Sequence, residues 1–358
     1  MRVLIAAGGT GGHIYPGIAV AQEIIRRDAN AKVRFVGTER GLESRLVPQA
    51  GFELSLIDIA GLKNVSLVKR VRSLAMLPTS LLSALTIIKQ FKPDVVVGAG
   101  GYVSGPVVLV AALARYPTLV MDSNALPGWT NRRLARFVDR AAVSFEQALP
   151  FFRGKGVVTG NPVRREFFEI PPKQRDPNKF SLLVFGGSQG ARAINEAMMS
   201  ALNQLKASPV PLQIKHQTGA ADFERVQAAY QNAGWNGAAE VRSYIDNMTP
   251  DFANADLVVC RAGATTTAEL IAAGKAAVMI PFPLAADDHQ RKNAEALETS
   301  GAARMILQKD LSGDRLANEI IDLAKQPTQI NSMEEAIRKL ARGDAAAAAV
   351  DIIEELSK

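Results

Sequence analysis

Residues 3–13 read VLIAAGGTGGH, in which a short apolar run is followed by four glycines around one threonine. Apolar residues continue at helical spacing over 14–25, so the stretch predicts a buried strand, a glycine loop and a helix. The same arrangement returns almost half the chain later, where SLLVF at 181–185 leads into GGSQG at 186–190 and a helix through Ala193. Two copies of one strand–loop–helix unit predict two similar domains.

Further strand-like segments alternate with helical segments along the chain. They lie at 33–36, 95–97, 118–121, 213–216, 257–260 and 276–280. This alternation is typical of parallel sheets with right-handed crossovers, so we expect an α/β fold of two doubly wound domains. Such domains bind ligands at the carboxyl ends of their strands, and two of them facing each other enclose a cleft.

The domain boundary is predicted near Asn161, just ahead of a polar, proline-rich stretch. We therefore assign residues 1–160 to the first domain and residues 161–340 to the second. An alanine-rich segment at 345–356 predicts a last helix. We expect the end of the chain, 341–358, to pack back on the first domain.

The composition is that of a globular protein, with 47% hydrophobic and 22% charged residues in a chain of 358. Wholesale disorder is excluded, and so is a small disulfide-stapled domain, because the chain has a single cysteine, Cys260. Cys260 ends an apolar run and is predicted to belong to the core. The first residues do not predict a secretory signal, because the apolar run before the glycines is too short.

Charge is unevenly distributed along the chain. Residues 1–160 contain 20 Lys and Arg against 10 Asp and Glu, so this half accounts for the whole net charge of +7. A basic half predicts an anionic partner, such as a membrane or a phosphorylated substrate. We expect no nucleic-acid partner, because aromatic residues make up only 6% and do not interleave with a basic stretch.

Two segments bear on membrane contact. Residues 62–77 carry four lysines and arginines and no acid among apolar residues, a pattern that predicts contact with an anionic membrane surface. An ordinary helix with a solvated basic face is the alternative interpretation. Residues 95–114 have no charge, but glycines and Pro106 interrupt them, so we expect a strand, a glycine turn and a helix rather than a membrane span.

Three glycine-rich loops are predicted to follow strands, at 8–12, 98–105 and 186–190. Glycines let backbone N–H groups approach a phosphate, and the next helix N-terminus adds positive potential, so the loops favour anion binding over a mere tight turn. A nicotinamide or flavin cofactor is not expected, since the third fingerprint position after Gly9 falls on Ile14. The sequence has no Walker loop either, because no Gly-Lys-Ser/Thr follows the glycines.

His13 ends the first glycine loop, at the mouth of the expected cleft. An imidazole titrates near neutral pH, so His13 is a candidate general base, and a histidine that only caps the loop is the alternative. In the second half, Glu269 follows Ala264, Thr265 and Thr266 at the start of a helix. Its carboxylate can accept hydrogen bonds from a ribose diol or complement the helix dipole.

Asp287, Asp288 and His289 are consecutive potential metal ligands. Three consecutive donors rarely converge on one ion, and no partner cluster accompanies them in the sequence, so no metal site is predicted. Hydrogen bonds from His289 and Gln290 to the hydroxyls of a sugar are the preferred interpretation.

Four motifs occur together in the order GGTGGH at 8–13, GGYVSGP at 100–106, GNPVR at 160–164 and GGSQGA at 186–191. Over nearly its whole length the chain resembles the peptidoglycan N-acetylglucosaminyltransferase family, the MurG family. The resemblance implies the GT-B fold, with a first Rossmann-like domain for the lipid acceptor and a second for UDP-N-acetylglucosamine. It implies an inverting transfer of N-acetylglucosamine to the muramyl 4-hydroxyl of undecaprenyl-diphospho-muramyl-pentapeptide, which converts lipid I to lipid II. From the residues themselves we expect no cofactor and no metal site.

The resemblance also implies a peripheral location on the cytoplasmic face of the inner membrane, and roles for individual residues. His13 is the implied base. Donor contacts are implied for Thr10, Gly11, Gly12, Asn124, Arg164, Ser188, Ile245, Ala264, Thr265, Thr266, Glu269 and Gln290. Of these, Arg164 and Ser188 belong with the diphosphate, Ile245 with the uracil and Glu269 with the ribose. Loops facing the acceptor diphosphate are implied to contain Gly9, Gly101, Tyr102 and Ser104.

Two functions from other classes remain as alternatives. A nonhydrolysing UDP-N-acetylglucosamine epimerase would share the fold and the donor, but it would need neither a lipid acceptor nor a basic apolar segment. A noncatalytic nucleotide-sugar-binding subunit would bind the donor and tolerate the loss of His13. The chemistry of the site, rather than the fold, distinguishes these functions.

Overall fold

The chain forms two compact units, each built on its own parallel sheet. The computed structural model describes residues 1–9, 11–39, 41–59, 77–176, 178–187 and 189–358. The first unit consists of Met1–Arg164 together with Arg342–Lys358, and the second of Arg165–Ala341.

The first unit contains a sheet of seven parallel strands in the order β3-β2-β1-β4-β5-β6-β7. The strands are β1 (Arg2–Ala7), β2 (Lys32–Gly37), β3 (Glu53–Leu56), β4 (Val95–Gly100), β5 (Thr118–Asp122), β6 (Arg140–Val143) and β7 (Gly156–Val158). The helices are α1 (Gly11–Arg27), α2 (Glu43–Gln49), α3 (Leu77–Phe91), α4 (Gly101–Leu113), α5 (Trp129–Leu134) and the last helix of the chain, α13 (Ala345–Leu356).

The middle of this sheet is made of strands with continuous apolar runs. Every residue of β4 and β5 is buried, as expected for parallel strands that are covered on both faces. The last helix, α13, returns to this unit and joins the core beside α1. Their shared apolar cluster includes Ile18, Ala21, Ile24, Val350 and Ile353.

The second unit contains six parallel strands in the order β10-β9-β8-β11-β12-β13. The strands are β8 (Phe180–Phe185), β9 (Leu212–Gln217), β10 (Ala239–Arg242), β11 (Leu257–Cys260), β12 (Ala277–Met279) and β13 (Ala303–Met305). The helices are α6 (Arg192–Lys206), α7 (Phe223–Asn232), α8 (Thr249–Asn254), α9 (Ala264–Ala273), α10 (His289–Thr299), α11 (Gly313–Ala324) and α12 (Pro327–Leu340). Its apolar core includes Val184, Met198, Leu202, Val259 and Ile320.

Both sheets share one strand order, and the first has one strand more at its far edge. In each, the chain first builds outward on one side of the starting strand and then crosses to the other side. The topological switch points therefore lie between β1 and β4 and between β8 and β11. The predicted α/β class, with two doubly wound halves, is confirmed.

The prediction of a glycine-rich loop at 98–105 is wrong, because strand and helix follow each other there without a loop. Strand β4 runs to Gly100 and α4 begins at Gly101. The reversal takes these two residues, which have φ angles of 112° and 80°, a left-handed backbone that suits glycine. The first loop is also shorter than predicted, since α1 already begins at Gly11, whereas Gly186 to Gly190 do lie between β8 and α6.

The segment 95–114 is a buried strand followed by a helix, which confirms the prediction made from its glycines. Among the described residues, no helix combines the length and the apolar character needed to span a bilayer. The basic segment predicted at 62–77 lies outside the described residues except for Leu77.

Candidate active site

The carboxyl ends of β1 and β4 meet at the switch point of the first unit, where glycine allows a close approach. A Cβ atom on Gly101 would lie 2.1 Å from the carbonyl oxygen of Gly8. Ser104 fixes this junction, because its Oγ accepts from Gly100 N–H (2.9 Å) and donates to the Ala6 carbonyl oxygen (2.7 Å). Ser104 is fully buried, so the structure places its hydroxyl among backbone groups.

Two predicted site residues border the junction. His13 is half-buried in the first turn of α1, and a Cβ atom on Gly100 would come within 2.4 Å of its Cδ2. Tyr102, in the first turn of α4, lies beside Gly9, where a Cβ atom would be 3.1 Å from the phenol ring. The structure thus brings His13, Gly9, Gly101 and Tyr102 together at one edge of the first sheet.

A buried carboxylate, Glu43, lies beneath the first glycine turn. Its Oε2 accepts a hydrogen bond from Gly9 N–H at 3.0 Å. Its Oε1 accepts from the N–H and the hydroxyl of Thr38, at 2.9 and 2.8 Å. Sequence reasoning missed Glu43, because nothing in its neighbourhood along the chain indicates that it reaches Gly9.

The end of β5 carries Asn124, a predicted donor contact, on a loop that Asp122 holds. The Asp122 carboxylate accepts from the N–H groups of Asn124 (3.1 Å) and Gly128 (2.9 Å) and from the Asn131 amide (2.9 Å). Burial raises the pKa of Asp122 above its usual range, and the hydrogen bonds oppose that shift. The bonds fix the backbone from which the Asn124 side chain extends.

In the second unit, Gln217 at the end of β9 fixes the glycine turn after β8. It donates through Nε2 to the Gly187 carbonyl oxygen (3.0 Å) and accepts through Oε1 from Ile245 N–H (2.7 Å). The glycine turn and Ile245 are therefore brought together through one side chain. Packing is equally tight at Gly190, where a Cβ atom would lie 1.8 Å from the Thr218 carbonyl oxygen. Gln217 was not predicted, since its partners are remote in the sequence.

A buried histidine, His216, supports the same region. The amide of Asn195 donates to the Thr218 carbonyl oxygen and to Asp222, at 2.9 Å each, so Asn195 Oδ1 accepts from His216 Nε2–H at 3.1 Å. His216 Nδ1 then accepts from the Tyr230 hydroxyl at 3.2 Å. Burial lowers the pKa of His216 to about 3, so the ring stays neutral at physiological pH.

Helix α9 begins at Ala264, after the three residues that follow β11, and β11 pairs with β8. The half-buried Ala264, Thr265 and Thr266 form its first turn at the same sheet edge as the glycine turn, and helix N-termini carry partial positive charge. Glu269 follows in the next turn of the same helix. Cys260 is buried in the core as predicted, and burial together with the charge of Glu269 raises the pKa of its thiol.

The amide of Gln290, a predicted sugar contact, is oriented by its neighbours. Gln290 Oε1 accepts from Phe282 N–H at 3.0 Å, so its Nε2 is the donor that a sugar hydroxyl would meet. Buried Arg261 fixes the chain before Phe282, because it donates to the carbonyl oxygens of Ile280 (3.1 Å) and Pro281 (3.2 Å). Burial lowers the pKa of Arg261 to about 10, far above neutral pH.

For the remaining predicted residues the structure gives a backbone position or an exposure, or they lie outside the described ranges. Arg164 is exposed at the last position of the first unit's main segment. Asp287 and Asp288 adopt left-handed backbone conformations just before α10, with φ angles of 54° and 55°. In the part of the chain that the structure describes, no three His, Cys, Asp or Glu side chains are grouped so that they could hold a metal ion. Thr10 and Ser188 are not among the described residues.

Comparison with known proteins gives a consistent result for both halves. Residues 3–143 match the glycosyltransferase family 28 N-terminal domain, and residues 181–356 match the family 28 C-terminal domain. A protein of Anaeromyxobacter sp. (strain Fw109-5) is 47% identical over 99% of this chain and 93% of its own length. It is named UDP-N-acetylglucosamine–N-acetylmuramyl-(pentapeptide) pyrophosphoryl-undecaprenol N-acetylglucosamine transferase.

Solved structures show the same fold. The crystal structure of Acinetobacter baumannii MurG has a TM-score of 0.83 at 34% identity and covers 99% of both chains. A UDP-N-acetylglucosamine 2-epimerase from Neisseria meningitidis has a TM-score of 0.70, but at 14% identity this likeness shows the fold alone. The GT-B class with two Rossmann-like units is confirmed.

Identity of this extent over the whole chain decides membership. The likeness covers both doubly wound units and both of their switch points, not one shared domain. The chain therefore belongs to glycosyltransferase family 28 and, within it, to the family of the UDP-N-acetylglucosamine–N-acetylmuramyl-(pentapeptide) pyrophosphoryl-undecaprenol N-acetylglucosamine transferases.

Proposed function

We propose that this chain transfers N-acetylglucosamine from UDP-N-acetylglucosamine to the 4-hydroxyl of the muramyl residue of undecaprenyl-diphospho-muramyl-pentapeptide. The product is lipid II, and the reaction is a step of peptidoglycan synthesis. The observation that carries the proposal is the 47% identity, over 99% of the chain, to a protein named for this transfer. Two features support it. The amide Nε2 of Gln290 can donate a hydrogen bond to a sugar hydroxyl, and the N-terminus of α9 at Ala264 carries the partial positive charge that suits a nucleotide.

The second unit is the proposed site of UDP-N-acetylglucosamine. Ile245 meets the uracil, Glu269 the ribose and Gln290 the sugar hydroxyls, while Ser188 and Arg164 meet the diphosphate. Ala264, Thr265 and Thr266 complete the uridine site at the N-terminus of α9. From the first unit, Thr10, Gly11, Gly12 and Asn124 contact the donor sugar. The hydrogen bonds that Gln217 and Asp122 make to this backbone support the proposal, because they hold the contacting segments in place.

The proposed chemistry is a single displacement with inversion at the anomeric carbon. The acceptor 4-hydroxyl attacks that carbon from the face opposite UDP, its proton passes to His13, and the bond to the diphosphate oxygen breaks. Negative charge builds on the leaving diphosphate. Backbone N–H groups of residues 188 and 189, the dipole of α6 and Arg164 stabilise that charge, whereas the Gly190 N–H donates to the Gly187 carbonyl oxygen at 2.9 Å.

The first unit is the proposed site of the lipid acceptor. Gly9, Gly101 and Tyr102 border the place where the acceptor enters, and Ser104 supports their backbone from within. Residues 62–77 are proposed to bind the anionic cytoplasmic face of the inner membrane as a peripheral contact. The excess of 20 basic over 10 acidic residues in 1–160 supports this, because both a diphospholipid and an anionic leaflet attract cations.

The test is transfer of radiolabelled N-acetylglucosamine from UDP-N-acetylglucosamine to a lipid I analogue. We expect label in the lipid product with the wild type, and a fall of about 100-fold or more with His13→Ala while UDP binding is unchanged. Gln22→Ala is the matched control, because Gln22 is an exposed residue on the same helix, α1.

The outcomes separate the candidate functions. Transfer that survives in His13→Ala would keep the transferase but remove His13 as the base. If the wild type binds UDP and gives no labelled lipid, the transferase proposal fails. Conversion of the donor to its 2-epimer would then identify an epimerase, and binding without any conversion would identify a noncatalytic subunit.

A further inference from the structure

Glu43 is a fully buried carboxylate that the proposed transfer chemistry does not use. Burying a carboxylate is costly unless hydrogen bonds satisfy it, and here three glycines also make room for it. A Cβ atom would lie 2.9 Å from Oε1 if placed on Gly8, 2.5 Å from Cγ on Gly37 and 2.0 Å from Oε2 on Gly41. Glycines at two separate parts of the chain, Gly8 on one side and Gly37 and Gly41 on the other, thus leave the space that the Glu43 side chain occupies.

The hydrogen bonds around Glu43 have a defined direction. The N–H groups of Gly9 and Thr38 can only donate, and each donates to the carboxylate. The Thr38 hydroxyl has a single proton, which it donates to Glu43 Oε1 at 2.8 Å. The Tyr102 hydroxyl lies 3.1 Å from the same Thr38 oxygen, so Tyr102 donates and Thr38 accepts. A chain of hydrogen bonds therefore runs from Tyr102 through Thr38 to Glu43.

This direction decides what Tyr102 can offer a ligand. With its proton directed to Thr38, the phenol oxygen presents lone pairs and acts as a hydrogen-bond acceptor. Gly9 N–H is likewise engaged by Glu43. Lone pairs repel a phosphate oxygen and attract a hydroxyl or an amide N–H. The geometry therefore differs from the diphosphate contact that the family resemblance implied for Gly9 and Tyr102.

We propose that Glu43 is a positioning residue for acceptor recognition. It fixes the Gly9 peptide and, through Thr38, turns the Tyr102 hydroxyl so that it accepts a hydrogen bond from a neutral hydroxyl or amide N–H of the acceptor. The inference rests on the proposed transferase function and deepens it. It assigns to the Tyr102 hydroxyl a neutral group of the acceptor rather than its diphosphate.

The first test is Glu43→Gln, which keeps the size of the side chain. It replaces one carboxylate oxygen with an NH₂ group, which cannot accept the hydrogen bonds that Gly9 and Thr38 donate. We expect kcat/KM for a lipid I analogue to fall about 10- to 100-fold, with the KM for UDP-N-acetylglucosamine unchanged. Glu53→Gln is the matched control, because Glu53 is a glutamate of the same unit whose side chain is 73% exposed. A variant that is merely misfolded would lose donor saturation as well.

The second test is a double-mutant cycle that does not alter the carboxylate. Thr38→Val and Tyr102→Phe each remove one hydroxyl of the chain and keep the side-chain shape. If Tyr102 acts through Thr38, each single change lowers kcat/KM for the acceptor. The kcat/KM of the double variant is then no lower than that of the less active single variant. Effects that multiply in the double variant would show that Tyr102 acts without Thr38 and would overturn the inference.

The two proposals fail in different ways. If the wild type transfers label and Glu43→Gln does so with the acceptor kcat/KM of the wild type, the positioning role is wrong and the transferase stands. If Glu43→Gln does not fold, the cycle on Thr38 and Tyr102 still decides. An acceptor analogue with its diphosphate replaced by a neutral group should show the same fold-loss in Thr38→Val as the natural acceptor. A smaller loss would mean that the Tyr102 hydroxyl contacts the diphosphate, and it would overturn the inference.

Discussion

Asp122 in the first unit and Gln217 in the second hold their loops in the same way. Each is a buried polar side chain at the end of a strand, and each binds backbone groups that flank a predicted ligand contact. Asp122 holds the backbone of Asn124, and Gln217 that of Ile245. These hydrogen bonds hold backbone N–H groups in place. Substitution of Asp122 or Gln217 would therefore displace Asn124 or Ile245, although the substituted residue itself does not contact the ligand.

His216 is the residue for which pH dependence can be predicted. Its pKa is about 3 in the folded chain and about 6.5 when unfolded, so the unfolded state takes up a proton first as the pH falls. Stability contributed by the neutral ring is complete above pH about 6.5 and falls by up to about 1.4 kcal/mol per pH unit towards pH 3. We expect His216→Gln to unfold more easily at pH 7 and to lose less of its stability on acidification.

Urea unfolding of the wild type and His216→Gln between pH 7 and pH 4.5 would measure this difference. Gln213→Ala is the control, because Gln213 is an exposed residue without a titratable group on the same strand, β9, and should leave the acid slope as in the wild type. Equal acid slopes in wild type and His216→Gln would mean that the folded and unfolded states protonate the ring at the same pH, and the expected lowering of its pKa by burial would be wrong.

Residues that could be predicted from the sequence lie in glycine motifs or at helix starts. His13 and Glu269 follow such signals within a few positions, whereas Glu43 does not. Glu43 reaches Gly9 across 34 positions of the chain, and no local pattern encodes such a contact. Roles that depend on pairing between distant strands therefore become visible only in the folded chain.

At the scale of elements, the strands were predicted more accurately than the junctions between strand and helix. Buried parallel strands are continuous apolar runs, so β1, β4 and β8 could be read directly. Glycine in a sequence is compatible with both a loop and a direct reversal. The segment 98–105 was predicted as a loop, but Gly100 and Gly101 reverse the chain by themselves. The residue after β4 lies so close to Gly8 that a side chain would not fit there, and the sequence alone does not show this contact.

This contact gives a prediction for the β4–α4 junction. Gly101→Ala adds a Cβ atom 2.1 Å from the Gly8 carbonyl oxygen and places alanine at a φ of 80°. Gly154→Ala is the matched control, because Gly154 has the same φ of 80° with nothing within 4 Å of its Cβ position. The left-handed backbone alone costs about 1–2 kcal/mol, so we expect that loss in Gly154→Ala and about 2 kcal/mol more in Gly101→Ala.

Chemical unfolding of both variants, together with the transfer assay, would measure the two costs separately. Gly154→Ala should retain transfer, since Gly154 is exposed and is not one of the predicted site residues. Equal losses of stability in the two variants would mean that the chain at Gly8 and Gly101 can move apart without loss of stability. The close approach of these two residues would then not contribute to the stability of the fold.

At the scale of the whole molecule, the two units repeat one strand order and keep separate cores. The larger apolar clusters belong to one unit each, and the chain end contributes α13 to the first. An alanine-rich helix could be predicted at 345–356 from composition. Its partner, α1, lies more than 300 positions away, and Arg27 of α1 donates to the Ala347 carbonyl oxygen at 3.0 Å.

Because the cores are separate, damage to α13 should be felt by the first unit although it lies at the end of the chain. Ile353 is fully buried in the cluster shared with α1, so Ile353→Ala should cost about 2–5 kcal/mol. Glu355→Ala on the same helix should change stability by less than about 0.5 kcal/mol, because Glu355 is 63% exposed in a long ion pair with Arg140. Amide hydrogen exchange would locate the effect. We expect faster exchange in β1 and α1 and unchanged exchange in β8 and α6, whereas equal acceleration in both sheets would mean that the units unfold as one.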